Sequence, residues 1–310
     1  MTAADANVID EAAAAGLLPE RDPRGHKGTF GRVVVMAGSL DYVGAALMAG
    51  TAALRAGCGL VTLAVPASLQ PIIAGRVPEL ITRGLPETAP FVIDPPAAVA
   101  ALLELPHDSL LLGPGLPPSR ANARALAGLL RAEGPPAVVD AGALAALADA
   151  PGWWTRLGRP VALTPHPGEL ARLGRSAGEA DHERRAAAIA AAAEWGVITV
   201  LKGANTIIAA PDGRHLTAEF EVPALGTGGT GDVLAGVVAS LVGQGLDPFA
   251  AAALGVYLHA RAGEDLSGHL GDAGLMATDL LPAIPRVRRH LAAVADRGRR
   301  LGFEAPGGGA

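Results

Sequence analysis

Aromatic side chains make up only 3% of this chain, so its interior must be built from aliphatic residues, which are plentiful: 50% of its 310 residues are hydrophobic. Cysteine occurs once, at Cys58, which excludes an intrachain disulfide and a thiolate metal cluster. Flanked by Gly57 and Gly59, Cys58 reads as a small buried hydrophobe rather than a reactive thiol. A basic excess is missing too. The net charge of −5 argues against a nucleic-acid partner, which needs a basic face. Lysine is nearly absent: Lys27 and Lys202 stand against 23 arginines, which singles both out for inspection. No run approaches the ~20 charge-free apolar residues of a membrane span. Met1–Glu20 carries acids and no basic stretch, unlike a secretory signal. A soluble, cytoplasmic protein is expected.

Short β-branched runs alternate with Ala/Leu-rich stretches from Arg32 onward. They predict strands at Arg32–Ala37, Leu60–Val65, Glu79–Arg83, Ser109–Gly113, Ala137–Asp140, Val161–Thr164, Val197–Lys202, Thr206–Ala210 and His215–Thr217. Helices lie between most of them, the signature of an α/β fold with a mostly parallel central sheet flanked by helices on both faces. The last two strands, joined by Pro211-Asp212-Gly213-Arg214, read as a hairpin at one end of the sheet. Beyond Gly231 the pattern is almost purely helical. No internal repeat or long linker divides the chain. The expected organisation is an N-terminal arm (1–25), one domain (26–301) and a disordered tail (302–310).

The strongest local feature is Gly226-Thr227-Gly228-Gly229-Thr230-Gly231-Asp232, directly ahead of an apolar helical run. Its glycines let the backbone curl so that successive N–H groups point at one spot. The helix behind adds the positive end of its dipole. Together they predict an anion nest for phosphate. Asp232 reads either as a simple N-cap or as a base beside the nest, and four glycines in the preceding six residues exceed what a cap requires. A carboxylate there could accept the proton of an attacking hydroxyl. The pattern is neither a Walker A loop nor a dinucleotide fingerprint.

Three further segments end candidate strands, where open α/β sheets gather ligands. In Gly113-Pro114-Gly115-Leu116, proline fixes the turn and Gly115 allows a ligand near the backbone; the alternative is an ordinary βα turn. In Thr164-Pro165-His166-Pro167-Gly168-Glu169, the histidine held between prolines reads as a ligand contact needed for recognition rather than stability. Lys202-Gly203-Ala204-Asn205-Thr206 follows another strand, with a solvated edge lysine as the alternative for Lys202. His26 and Lys27 have a mobile arm as their plain reading, and His259 reads as a packed histidine.

These segments occur in one order with His26-Lys27-Gly28-Thr29-Phe30-Gly31-Arg32, Gly44-Ala45-Ala46 and Asp140-Ala141-Gly142-Ala143-Leu144. In that order, over residues 26–236 and with a fainter echo in Gly274–Leu281, the chain resembles the ADP-dependent NAD(P)H-hydrate dehydratases of the ribokinase-like superfamily. The resemblance implies a ribokinase-like fold. It also implies that Ala45, Gly115, His166 and Asp232 contact hydrated NADH or NADPH (NADHX or NADPHX), and that Lys202, Gly203, Ala204, Asn205, Thr206 and Gly231 hold the nucleotide. Asp232 would be the base. The backbone of Gly229, Thr230 and Gly231 would steady the transferred phosphoryl, aided by Mg²⁺. ADP is the expected co-substrate, because the stand-alone chain looks like the bacterial form. A homo-oligomer, a tetramer, is expected, working alongside a separate epimerase, since the stretch before His26 is too short for another domain. One departure stands out: Glu221-Val222-Pro223 lies where relatives often have an Asn shortly before the nest. Two rivals share the nest. A small-molecule kinase for a thiazole, pyrimidine or sugar alcohol would keep Asp232; a non-catalytic nucleotide-binding regulator would not need it.

Overall fold

The computed structural model describes residues 7–300. Its strands are β1 (Arg32–Met36), β2 (Leu60–Pro66), β3 (Ile81–Leu85), β4 (Glu87–Ala89), β5 (Val92–Ile93), β6 (Ser109–Leu112), β7 (Ala137–Val139), β8 (Val161–Leu163), β9 (Ile198–Leu201), β10 (Thr206–Ala209) and β11 (His215–Ala218). Nine of them form one sheet in the order β11-β10-β9-β8-β7-β6-β1-β2-β3. Every pairing from β9 to β3 is parallel, and β10 alone in this sheet runs antiparallel to both of its neighbours, β9 and β11. The chain leaves β1 toward β2 and β3, then returns to β6 on the other side of β1. The order therefore reverses between β1 and β6, which opens a crevice at the carboxyl ends of those strands.

Alternation along each strand sends side chains to two cores. Val33 and Val35 join one, Val34 and Met36 the other. The first core is covered by α1 (Glu11–Gly16), α2 (Val43–Arg55) and α3 (Gln70–Ile73), and by the late helices α9 (Thr230–Gly243), α10 (Pro248–Leu270) and α11 (Ala277–Arg300). The second lies under α4 (Pro95–Leu103), α5 (Arg120–Arg131), α6 (Gly142–Ala148), α7 (Pro167–Arg172) and α8 (Asp181–Trp195). Small residues let helices meet at backbone distance. A side chain at Gly236 of α9 would run into the Ala49 carbonyl of α2. The scarce aromatics are concentrated: Trp153, Trp154 and Trp195 pack together with ring centroids 5.5, 5.9 and 6.1 Å apart.

Several elements differ from the sequence reading. The strand expected at Glu79–Arg83 lies at Ile81–Leu85, because a turn from Leu80 N–H to the Val77 carbonyl (3.1 Å) delays entry into the sheet. The β4–β5 hairpin and α3 are too short to register as periodic patterns. The expected arm is packed over its described part. Ile9 is buried and its N–H donates to the Thr217 carbonyl at 3.0 Å, while the Arg21 guanidinium sits 3.9 Å over the Phe30 ring. The tail 302–310 lies outside the described residues. His26 and Lys27 precede β1 at its amino end, against Gly59 at the start of β2, and so lie at the edge opposite the crevice. Cys58 is buried as expected, its thiol donating to the Ala53 carbonyl at 3.1 Å and pushed up to about 12 by burial. No described helix is long and apolar enough to cross a membrane.

Candidate active site

The glycine nest sits at the start of α9. Gly229 is the residue ahead of the first helical position, at φ +93°, and no side chain caps this end. Glycine suits Gly229 for that backbone angle, and a side chain there would push aside the flexible methyl end of Met48 on α2. The first N–H groups of a helix lack intrahelical partners and carry the positive end of the dipole. Thr230 departs from its expected role. Its N–H turns back to the Thr227 carbonyl at 3.4 Å, and its hydroxyl is engaged by the carbonyls of Leu225 (2.7 Å) and Thr227 (2.9 Å). Thr230 therefore builds the loop, which leaves Gly229 and Gly231 as the facing nest positions. Behind it, buried His259 donates Nε2–H to the Thr230 carbonyl at 2.9 Å. Burial pulls that imidazole down to about 4, so it is the neutral packed histidine the sequence suggested.

Asp232 stands three residues past Gly229 and is not the cap. Burial, reinforced by Asp140 and Glu169 and opposed by Lys202, raises its carboxyl from the ordinary 3.8 to about 7. These partners come from the ends of neighbouring strands. Asp140 follows β7, Glu169 lies in the first turn after β8, and Lys202 follows β9. Lys202 Nζ lies 2.7 Å from Asp140 Oδ1 and 3.6 Å from Glu169 Oε2. Its side chain is only 17% exposed, so it is not a solvated edge lysine. Burial pulls its ammonium down, but Asp140, Glu169 and Asp232 outweigh that and hold it above its usual value. A β-carbon at Gly231 would lie 3.5 Å from this Nζ, which places the lysine beside the nest. Thr164 completes the floor, its hydroxyl donating to Asp140 Oδ1 at 2.8 Å.

Sequence reasoning gave Asp140 and Glu169 no role of their own. The signal was present: an acid closing a fully apolar strand (Ala137–Val139) has no reason to be buried unless it is paired. The residue after it, Ala141, adopts φ +49°, ψ −120°, which a side chain tolerates only under strain.

Nucleotide candidates Gly203 to Thr206 form a tight loop held from behind. The buried Arg184 guanidinium donates to the Ala204 carbonyl and, at 3.5 Å, to that of Lys202. Thr206 hydroxyl donates to the Gly203 carbonyl at 2.8 Å. Asn205, at φ +52°, donates its amide to Asp181 (3.1 Å) and Glu221 (3.2 Å). Glu221, the departure noted in the sequence, thus supplies a polar contact to this loop.

On the other flank, Gly115 at φ +67° abuts the Tyr42 carbonyl and the Ala45 methyl, so these two substrate candidates are neighbours. His166 lies at the start of α7, where its Nδ1 accepts from Gly168 N–H (3.0 Å) and Glu169 N–H (3.3 Å), and its own N–H donates to Glu169 Oε2 at 2.8 Å. This capping box corrects the expectation that His166 serves recognition and not stability. It also puts the ring proton on Nε2, in a side chain 55% exposed. Asn caps a helix as well as any residue. His166→Asn should therefore keep the melting temperature near wild type, while His166→Ala costs about 1 kcal/mol. If Nε2–H meets the substrate, either change raises KM about 2- to 13-fold, the worth of one hydrogen bond. Melting curves and kinetics on both variants test this; an unchanged KM in both would leave His166 a cap alone.

The chain matches the family described as NAD(P)H-hydrate dehydratase over residues 33–286. It is 37% identical over 285 residues to the ADP-dependent (S)-NAD(P)H-hydrate dehydratase of Xanthomonas campestris, covering 90% of this chain and 96% of that protein. It is 45% identical over 276 residues to the bifunctional NAD(P)H-hydrate repair enzyme of Moorella thermoacetica. That match covers 88% of this chain but 52% of the relative, so the chain spans about half the length of the bifunctional proteins it matches. The ADP/ATP-dependent NAD(P)H-hydrate dehydratase of Bacillus subtilis, co-crystallised with ATP and Mg²⁺, superposes with a TM-score of 0.80 at 33% identity, covering 92% of this chain and 98% of that one. The architecture is ribokinase-like, the nest stands beside the acid cluster, and on the family match and the relatives' identity this chain belongs to the NAD(P)H-hydrate dehydratase family.

Proposed function

We propose that the chain dehydrates the S form of NADHX or NADPHX back to NADH or NADPH, consuming ADP and releasing AMP and phosphate. The observation that carries this is Asp232: a carboxyl raised to about 7, in the first turn of a helix whose N-terminus forms a nest, beside a buried lysine. A general base is most effective with a pKa near the working pH. Hydroxide is a poor leaving group, so the ring hydroxyl must be activated. Asp232 takes the hydroxyl proton as the oxygen attacks the β-phosphorus of ADP, and the bond from that phosphorus to AMP breaks. The ring nitrogen lone pair then expels phosphate as the carbon–oxygen bond cleaves, and the neighbouring ring carbon releases a proton to restore the ring double bond.

Lys202 and the N–H groups at Gly229 and Gly231 stabilise charge on the phosphoryl in transit. The loop from Gly203 to Thr206 seats the nucleotide, while Ala45, Gly115 and His166 seat the hydrated ring. Among the described residues no cluster of three His, Cys, Asp or Glu forms a metal cage. Mg²⁺ needs no such cage: it takes one or two carboxylates and fills its shell with phosphate oxygens and water. Glu169 would hold it, and the ion would offset phosphate charge. The catalytic body is proposed as 26–301, with the described part of the segment before it, 7–25, a packed strap. The assembly proposed with this reading is a cytoplasmic homotetramer supplied by a separate epimerase.

Incubating NADHX with ADP should restore reduced-nicotinamide absorbance and yield one AMP and one phosphate per turnover. Its kcat/KM should rise with pH through about 7 and level off above, since only ionised Asp232 can act. Accumulation of a stable phosphorylated product would mark a kinase instead, and unchanged NADHX would overturn the assignment.

A further inference from the structure

Beside the crevice, and lined by none of the nest, Asp232 or His166, lies a cavity of about 180 Å³ at the carboxyl ends of β1, β2, β3 and β6. Met36 and Leu116 are among its apolar walls, and Phe91 stands at the tip of the β4–β5 hairpin. An apolar cavity of ~150 Å³ holds one benzene-sized ring. Three polar groups interrupt the apolar lining: Ser39, Asp41 and Asn122. The Ser39 hydroxyl is buried without a hydrogen-bond partner. Asn122 spends its amide N–H on the Pro117 carbonyl at 2.8 Å, which leaves its oxygen to accept. An orphan hydroxyl at such a place costs about 1–3 kcal/mol unless something meets it. Phe91 adds a second cost, since it holds φ +64°, rare for a bulky residue, with its N–H fixed by Glu87 Oε1 at 2.9 Å. Its ring stays 38% exposed at the cavity.

We propose that this cavity binds the adenine end of the dinucleotide substrate. The inference rests on the functional reading above and extends it. The ADP loop follows β9, and the Lys202–Asp140–Asp232 cluster is centred on β7 to β9. The cavity begins past Gly115, at β6 and β1, and reaches β3. Neighbouring strands lie about 4.8 Å apart, so its centre, between β1 and β2, is three to four spacings, ~15–19 Å, from the acid cluster centred on β8. An extended pyrophosphate-linked dinucleotide covers that reach. Adenine suits the lining: its faces match Leu116 and the Phe91 ring, and its exocyclic amine can donate to Asp41 or Asn122 while Ser39 serves a ring nitrogen.

Phe91→Gly tests the contact, because it removes the ring at a backbone angle that glycine accepts freely. Loss of one stacking partner should raise KM for NADHX about 10-fold with kcat unchanged, and leave KM for hydrated reduced nicotinamide mononucleotide, which has no adenine, as in wild type. Equal effects on both substrates, or none on either, would overturn the proposal. A second readout needs no turnover. Met36 borders the cavity and Met48 touches the nest at Gly229, so carbon-13 methionine methyl spectra report the two places separately. With ADP saturating, millimolar NADH should shift both methyls. Movement of Met48 alone would remove the adenine site and spare the functional reading; movement of neither would remove both.

Discussion

Asp232→Asn should abolish turnover and stabilise the protein at once. Loss of a general base costs about 10²–10⁴-fold in rate. The stability gain follows from the raised carboxyl. Its pKa is higher in the folded chain (about 7) than the ordinary 3.8, so the fold disfavours the ionised form. The penalty is absent where Asp232 is protonated in both states, grows as pH rises between the two values, and is complete above about 7. Three pKa units would amount to ~4 kcal/mol, and screening by solvent in the open crevice reduces that to about 2 kcal/mol. The variant should therefore melt a few degrees higher than wild type at pH 8, with the gain shrinking toward pH 5. Parallel melting curves at the two pH values and a turnover assay check both halves. A variant that folds and keeps half of wild-type activity would remove Asp232 as the base.

Lys202→Met should fail in the opposite direction. The ammonium lies between Asp140, 2% exposed, and Glu169, 11% exposed, and breaking a buried pair by removing one partner costs about 3–5 kcal/mol. At a few degrees per kcal/mol, the melting temperature drops by roughly 10 °C. Activity should fall as well, because Lys202 is the cation that restrains the Asp232 carboxyl. Without it, the rising limb of residual kcat/KM moves to higher pH. Adding Asp140→Asn removes the stranded charge and should recover about 0.5–3 kcal/mol of stability without restoring turnover. Weaker ADP binding in Lys202→Ala alone could not separate a lost contact from a weakened fold; the double variant does. An unchanged melting temperature in Lys202→Met would show that the pair carries no structural weight.

The parallel sheet was legible because β-branched runs recur at regular intervals and both cores demand apolar strands. The nest was legible because its residues are contiguous. The acid cluster was not. Asp140, Glu169 and Lys202 belong to three separate segments at strand ends, and only the adjacency of β7, β8 and β9 brings them together. Each residue stood in a recognisable segment, yet no segment alone reveals that one lysine answers several carboxylates. His166 has a second role that its segment does not advertise: prolines on both sides mark it as held for a ligand, whereas Pro167 also opens a helix and makes the preceding residue a cap. Thr230 was grouped with its glycine neighbours by position, but its hydroxyl points back into the loop. The β4–β5 hairpin, two short strands around a strained Phe91, carries no periodic signal at all.

At the centre of this account is the claim that the ring hydroxyl is phosphorylated before it departs, with Asp232 as the base. Following the oxygen atom tests it most directly. NADHX carrying heavy oxygen in the ring hydroxyl is turned over with unlabelled ADP in unlabelled water, and the phosphate released is examined by mass spectrometry. If the hydroxyl oxygen attacks phosphorus and the carbon–oxygen bond then breaks, every phosphate carries one heavy oxygen. Phosphate without the label, with the heavy oxygen found in water instead, would mean that the hydroxyl leaves directly and that ADP is cleaved in a separate event.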